Sequence, residues 1–264
     1  MTNYINPFEK RTFSARFRAV FAFAKQNFVQ VIKYDLILLM VIAALLAGWI
    51  CVYPNSKINN LGSLANFVCF SYFTHYLLNR GEMSATSFKN MLRSTGGAFV
   101  KVFVASFLVL AILIPITIVF VIVGGIALKF NPVIGGLIFV LFGLLILYMT
   151  PILNIYYTHY YFSKKNNSSV EALKDSYLMI KGHWWSTFGL VFVIGLIGEL
   201  IVVLISIPIL ILLPIFIGTF LSLTIAFIVF IFTLHAASIF QYGHLKALNK
   251  IGEKEECEEK YEFV

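Results

Sequence analysis

Long stretches of apolar residues that contain neither Lys nor Arg dominate this sequence. A helix needs about 20 apolar residues to cross the hydrocarbon core of a bilayer, which is about 30 Å thick. Only 12% of the residues are charged, which is too few to cover a water-soluble protein of this size with polar surface. We therefore predict an all-α polytopic membrane bundle of six transmembrane helices, over residues 36–53, 61–79, 102–128, 132–157, 186–212 and 215–241.

The basic residues alternate along the chain in a way that predicts orientation. The seven segments before, between and after the apolar runs hold, in order, six, one, four, one, four, zero and four of the 20 Lys and Arg residues. Cytoplasmic segments of membrane proteins carry the excess of Lys and Arg. Provided that the weak second run crosses, both termini are cytoplasmic. The expected location is the bacterial cytoplasmic (inner) membrane, with the first run as an uncleaved signal anchor.

Three segments that precede the odd-numbered runs share a pattern. Residues 17–29, 88–100 and 173–185 align without gaps, and each has a bulky residue, then Lys or Arg, and an aromatic residue ten positions later. The repeat predicts three hairpins, each preceded by a cytoplasmic amphipathic helix; a chance likeness of basic lead-in segments is the alternative. The predicted domains are a basic amphipathic helix over 1–33, a transmembrane domain over 34–246 and a charged cytoplasmic tail over 247–264.

The N-terminal lead-in separates apolar residues from cations around a helix. Phe17, Phe21, Ala24 and Phe28 recur every three or four residues, which is typical of a helix lying in the membrane interface. The net charge of +8 therefore predicts anionic lipid headgroups, and not nucleic acid, as partners. Two interpretations stay open, since the cations either only orient the protein or bind a specific lipid. The predicted headgroup contacts are Arg11, Arg16, Arg18, Lys25, Lys33, Lys89, Arg93 and Lys174.

Residues 169–197, which read SVEALKDSYLMIKGHWWSTFGLVFVIGLI, resemble a broad bacterial group of six-span membrane proteins. The resemblance rests on the Ser-x-x-x-x-Lys-x-Ser-Tyr helix, the Gly-His-Trp-Trp at 182–185 and Phe188 at the opening of the span. This group includes the membrane domain fused to some glycerophosphodiester phosphodiesterases and stand-alone relatives of unknown function. The resemblance implies a fold and a membrane location. It implies no catalytic residues, because the phosphodiesterase chemistry belongs to a separate soluble barrel.

Glu199 is the one formal charge inside the six apolar runs. It lies at the middle of 186–212, where a carboxylate costs at least about 2.5 kcal/mol. The repeat places Ala43 and Ile114 at the equivalent positions, so packing of a hairpin does not require an acid. Glu199 is either a neutral carboxyl that bonds a neighbouring helix, or a site for a proton, cation, lipid or substrate. Its candidate polar partners are Thr224, Ser222 and Ser71.

No familiar catalytic or metal-binding spacing accompanies Glu199. The five His residues form no HxxxH pair and the three Cys residues form no CxxC, so no catalytic residue, metal or cofactor is predicted. We expect a non-enzymatic scaffold or accessory factor of an envelope or lipid-related process. Membrane lipids and a membrane protein are its candidate partners. A small transporter or permease component that uses Glu199 is the first alternative, and an intramembrane lipid-modifying enzyme is the second.

Overall fold

The computed structural model describes residues 5–52, 88–162 and 168–249. Every secondary-structure element within these residues is helical, which confirms the predicted all-α fold. The elements are α1 (Phe13–Val52), α2 (Phe88–Phe130), α3 (Pro132–Phe162), α4 (Ser169–Ile180), α5 (Trp184–Leu212), α6 (Ile215–Phe230), a π-helical segment (Ile231–His235) and α7 (Ala236–Asn249).

In the part of the chain that the structure describes, four helical segments are long and apolar enough to cross a membrane. They are Phe103–Phe130, Pro132–Phe162, Trp184–Leu212 and Ile215–Leu248. These segments coincide with the third to sixth predicted runs, so the chain is a multi-pass membrane protein. The first predicted run falls at the end of α1, where the apolar helical stretch Leu39–Val52 is shorter. The second predicted run, 61–79, lies outside the described residues.

The three lead-in segments of the predicted repeat differ in structure. Helices α1 and α2 each continue without a break from the lead-in into the apolar run that follows. The third lead-in forms the separate helix α4, because the backbone at Gly182 takes a φ of 85° between α4 and α5. A positive φ is readily adopted by glycine and commonly ends a helix. Only the third lead-in is therefore free to turn away from the span after it.

Residues 101–188 form one of two compact units in the chain. Helices α2 and α3 are joined through Asn131, whose Oδ1 accepts a hydrogen bond from the Val133 N–H at 2.9 Å. The two helices approach closely at Gly124, where an added Cβ would lie 2.9 Å from the Phe139 ring. Helix α4 packs against α3. The shared core contains Ala105, Val109, Tyr156 and Ala172.

Residues 1–100 and 189–264 form the other compact unit. Within its described part, α1 packs along α6, the π-helical segment and α7. The Phe23 ring is buried and lies 6.0 Å from the Phe240 ring, centroid to centroid. The core of this unit includes Val20, Phe23, Leu39, Ala43, Leu190, Ile194, Ile231, Phe240 and Leu245.

Candidate membrane-interface site

Helix α4 begins at a capping box. Ser168 Oγ accepts a hydrogen bond from the Glu171 N–H at 3.2 Å, and Glu171 Oε2 accepts one from the Ser168 N–H at 3.0 Å. This reciprocal pair satisfies backbone donors that the first turn of a helix leaves unbonded. The same hydrogen bonds hold the pKa of the Glu171 carboxyl below its usual value. The beginning of α4 is therefore fixed by its own sequence.

The inner face of α4 is held against the end of α3. The Tyr156 hydroxyl and Ser169 Oγ share a hydrogen bond. One turn further along α3, His159 Nε2 lies 3.7 Å from Asp175 Oδ2. The buried residues of α4 are Ala172, Ser176, Met179 and Ile180. These contacts fix which face of α4 points away from the protein.

The outer face of α4 combines cations with exposed apolar side chains. Lys174, which the sequence predicts to contact headgroups, is exposed, and so is Lys181. Positions 170, 174, 177, 178 and 181 share one side of a helix because they recur at intervals of three and four. We define the α4 outer face as Val170, Lys174, Tyr177, Leu178 and Lys181, whose apolar members are 46–63% exposed.

Aromatic side chains surround the junction between α4 and α5. The Trp184 ring stacks on the Phe188 ring at 5.0 Å and on the Tyr148 ring at 5.8 Å. Its Nε1 donates a hydrogen bond to the Tyr148 carbonyl at 3.0 Å. Trp185 is 79% exposed. Exposed Trp side chains such as that of Trp185 are typical of the membrane–water boundary, whereas Tyr148 lies near the middle of the predicted run 132–157.

Lys101 is a further cation of this unit, and it is not among the headgroup contacts predicted from the sequence. Its Nζ donates a hydrogen bond to the Tyr161 carbonyl at 3.0 Å and lies 5.8 Å from the centre of the Tyr161 ring. Burial lowers the pKa of Lys101 below its usual value. Its position one residue before an apolar run is the sequence signal that could have identified it.

The cations of the N-terminal lead-in have different environments. Arg18, Lys25 and Lys33 are exposed on α1. Arg16 is 3% exposed and donates a hydrogen bond to Gln241 Oε1, so it points into the protein. Burial lowers the pKa of the Arg16 guanidinium. Lys89 and Arg93 belong to α2, but their side chains lie outside what the structure describes.

The phenylalanines of the N-terminal helix α1 differ in exposure. Phe13, Phe21 and Phe28 are 42%, 38% and 48% exposed, whereas Phe23 is fully buried. Helix α1 therefore buries the face that carries Arg16 and Phe23 against α7 and the π-helical segment. The predicted apolar stripe is covered in part, because the Phe28 ring lies 5.7 Å from the Phe232 ring and Phe17 and Ala24 are half-buried.

Glu199 lies on the exposed side of α5. Among the described residues, no hydrogen bond joins it to Thr224 or Ser222. Thr224 is buried, and its Oγ1 donates to the Phe220 carbonyl at 2.9 Å. Ser222 Oγ is buried and makes no hydrogen bond. Ser71, the third candidate partner, lies outside the described residues, so the described structure assembles no polar site around Glu199.

The contact next to Glu199 is one that the sequence does not reveal. A Cβ added to Gly198 would lie 2.6 Å from Thr233 Oγ1 and 3.1 Å from Thr233 Cβ. Thr233 belongs to the π-helical segment, and its Oγ1 donates to the Val229 carbonyl at 2.9 Å. π-Helical turns within α-helices occur frequently at functional sites. This tight contact sets the rotation of α5 and leaves Glu199 on the open side.

The comparisons with known proteins add no family or fold assignment. No family model matches the chain, and no curated protein or solved structure matches it significantly. Within residues 5–52, 88–162 and 168–249, no three His, Cys, Asp or Glu side chains are grouped as metal ligands would be.

Proposed function

We propose that this chain is a non-enzymatic scaffold or accessory factor of an envelope or lipid-related process, working at the cytoplasmic leaflet of a bacterial inner membrane. The proposal includes six spans, three hairpins and two cytoplasmic termini, as the alternation of Lys and Arg favours. The observation that carries it is the α4 outer face, which combines two exposed cations with exposed apolar side chains. The resemblance of residues 169–197 supports the bacterial location.

Chain connectivity brings α4 to a membrane surface. Helix α4 begins seven residues after α3 ends at Phe162, and it ends four residues before α5 begins at Trp184. Both flanking helices are candidate spans, so α4 lies close to the boundary between lipid and water. A helix with cations and apolar groups on its free face is suited to anionic headgroups. Each cation near an anionic surface contributes about 1 kcal/mol.

Removing either cation of the α4 outer face should weaken binding of an anionic lipid. We expect Lys174→Gln and Lys181→Gln each to lower the affinity for phosphatidylglycerol about fivefold, because about 1 kcal/mol is lost per cation. Native mass spectrometry of the full chain in a neutral detergent, titrated with phosphatidylglycerol, measures this affinity. Lys174→Arg and Lys181→Arg are the matched controls and should retain it. Equal affinities for the wild type and both Gln variants would contradict the proposal.

A second candidate function is a small transporter or permease component that uses Glu199. The observation that favours it is the exposure of this carboxyl on a candidate span, beside the contact of Gly198 with the π-helical segment. Ionisable groups at this depth usually face a water-filled cavity or a polar partner, because the hydrocarbon core penalises them. None of the described residues seals Glu199 off, so this second function requires a cavity or a polar partner on the exposed side of α5.

Glu199→Gln should abolish proton flux if the carboxyl carries protons. The chain is reconstituted in sealed liposomes with an internal pH dye, and a potassium diffusion potential drives proton entry. We expect proton entry to be faster with the wild type than in empty liposomes. With Glu199→Gln it should fall to the rate of empty liposomes, because an amide side chain does not ionise near neutral pH. Glu171→Gln, which changes a carboxyl outside the spans, should behave like the wild type. If the wild type and Glu199→Gln conduct equally, this second function is excluded.

A further inference from the structure

The N-terminal segment, residues 5–12, folds over helix α7. An added Cβ on Gly243 would overlap the Pro7 carbonyl oxygen, so the two backbones are in contact. The Phe8 ring meets the Tyr242 ring edge-on, with centroids 6.1 Å apart. Farther along the segment, the Arg11 N–H donates a hydrogen bond to His244 Nδ1 at 3.1 Å. The segment is therefore attached to the last helix at three successive points.

This attachment concentrates positive charge at the end of the last candidate span. The Arg11 guanidinium carbon lies 5.7 Å from the centre of the Phe240 ring, and Lys246 Nζ lies 5.7 Å from that of the Phe8 ring. Arg16 donates a hydrogen bond to Gln241, which lies one turn before His244 on α7. A span of 34 residues is about 50 Å long, so its last turns extend beyond a hydrocarbon core of about 30 Å. Arg11, which contacts the last turns of this span, and Lys246, which lies within them, are therefore at headgroup depth.

Arg11 has a hydrogen-bond donor that its neighbours do not use. Its side chain is 15% exposed, and Nη2 pairs with Glu9 Oε2 at 2.6 Å. Nη1 is buried and makes no hydrogen bond. A buried charged donor without an acceptor is costly, so an added acceptor stabilises it. The planar guanidinium fork fits two oxygens of a phosphate group especially well.

We propose that Arg11 binds a phosphate group, either that of a lipid headgroup or that of a soluble phosphate. Because Nη1 is buried in the described geometry, the guanidinium must turn outward as Glu9 leaves, and one phosphate oxygen then accepts from Nη1. A second takes the place of the Glu9 carboxylate on Nη2. Glu9 leaves readily because its side chain is 53% exposed. This site lies in the other compact unit from the α4 outer face and does not rest on the function proposed for it.

The test titrates the full chain in a neutral maltoside detergent with two probes, measured by calorimetry. The probes are inorganic phosphate and dihexanoyl phosphatidic acid, a soluble short-chain lipid. Binding of the short-chain lipid alone supports a headgroup site, and binding of both with similar affinity supports a soluble phosphate. Binding of neither overturns the proposal.

Three variants assign the binding to Arg11. We expect Arg11→Gln to weaken it about tenfold or more, because a charge-assisted hydrogen bond is lost. Glu9→Gln should strengthen it, since the competing carboxylate is removed. Lys10→Gln removes an exposed cation next in sequence and should change the affinity less than about twofold. A Lys10→Gln effect as large as that of Arg11→Gln would show that only general charge attraction is measured. Weaker binding in Glu9→Gln would overturn the replacement of the Glu9 carboxylate by phosphate.

Discussion

Gly198→Val should be strongly destabilising, lowering the melting temperature of the detergent-solubilised chain by about 5–10 °C. Overpacking of this kind costs about 1–3 kcal/mol or more, and each kcal/mol corresponds to about 2–4 °C in a chain of this size. The added Cβ alone would lie 2.6 Å from Thr233 Oγ1. Rotation of the Thr233 side chain does not relieve the contact, because its Oγ1 is hydrogen-bonded to the Val229 carbonyl. Thr233 Cβ itself would also lie only 3.1 Å from the Cβ added at Gly198. Helix α5 must therefore separate from the π-helical segment.

Two further variants make this expectation specific to the contact. Gly125→Val places the same side chain on a candidate span where an added Cβ meets nothing within 4 Å, and it should leave the melting temperature nearly unchanged. Thr233→Ala removes Oγ1 and Cγ2, so in combination with Gly198→Val it should restore part of the loss. Equal melting temperatures for Gly198→Val and Gly125→Val would show that α5 does not pack on the π-helical segment.

The spans were predictable because apolar length is a property of a continuous stretch of sequence. The runs 102–128, 132–157, 186–212 and 215–241 need no knowledge of their neighbours to be identified, and each matches a candidate span. The π-helical segment is different. Nothing in Ile231–His235 distinguishes it from an α-helical turn, and its position becomes meaningful only through the contact with Gly198.

Glycine positions show the same limit on a smaller scale. The pairs Gly124–Gly125 and Gly135–Gly136 flank one turn and look equivalent in sequence. Added Cβ atoms on Gly124 and Gly135 would collide with the facing helix, whereas those on Gly125 and Gly136 would meet nothing within 4 Å. Which glycine of a pair faces the neighbour depends on helix rotation, and the rotation is set by packing.

The sequence predicts which cations belong to the candidate site better than it predicts which of them are exposed. Lys174 is exposed on α4, where an amphipathic pattern places it. Arg16 belongs to the same kind of pattern but is buried, because its partner Gln241 lies 225 residues away in sequence. A helical pattern reports only which residues share a face. It cannot report that a distant helix supplies an acceptor for one of the cations.

Gly243→Val should release the N-terminal segment from α7. The added Cβ would overlap the Pro7 carbonyl oxygen and lie 2.7 Å from the Pro7 carbonyl carbon. These are backbone atoms, so no side-chain rotation relieves the overlap and the segment must lift away. The hydrogen bond from the Arg11 N–H to His244 is then lost. Such a bond contributes about 1 kcal/mol, and with the other contacts we expect the open population to rise about tenfold.

Limited proteolysis measures this release. Trypsin cleavage after Arg11 should accelerate about tenfold in Gly243→Val, because cleavage follows the population of the open form when opening is fast. Gly143→Val is the matched control, since an added Cβ there meets nothing within 4 Å, and its cleavage should equal that of the wild type. The bond between Arg16 and Gln241 joins α1 to α7 directly, so the bundle should stay folded while the segment opens. Release without unfolding would also remove phosphate binding at Arg11, whereas unchanged cleavage would mean that Pro7 does not lie on Gly243.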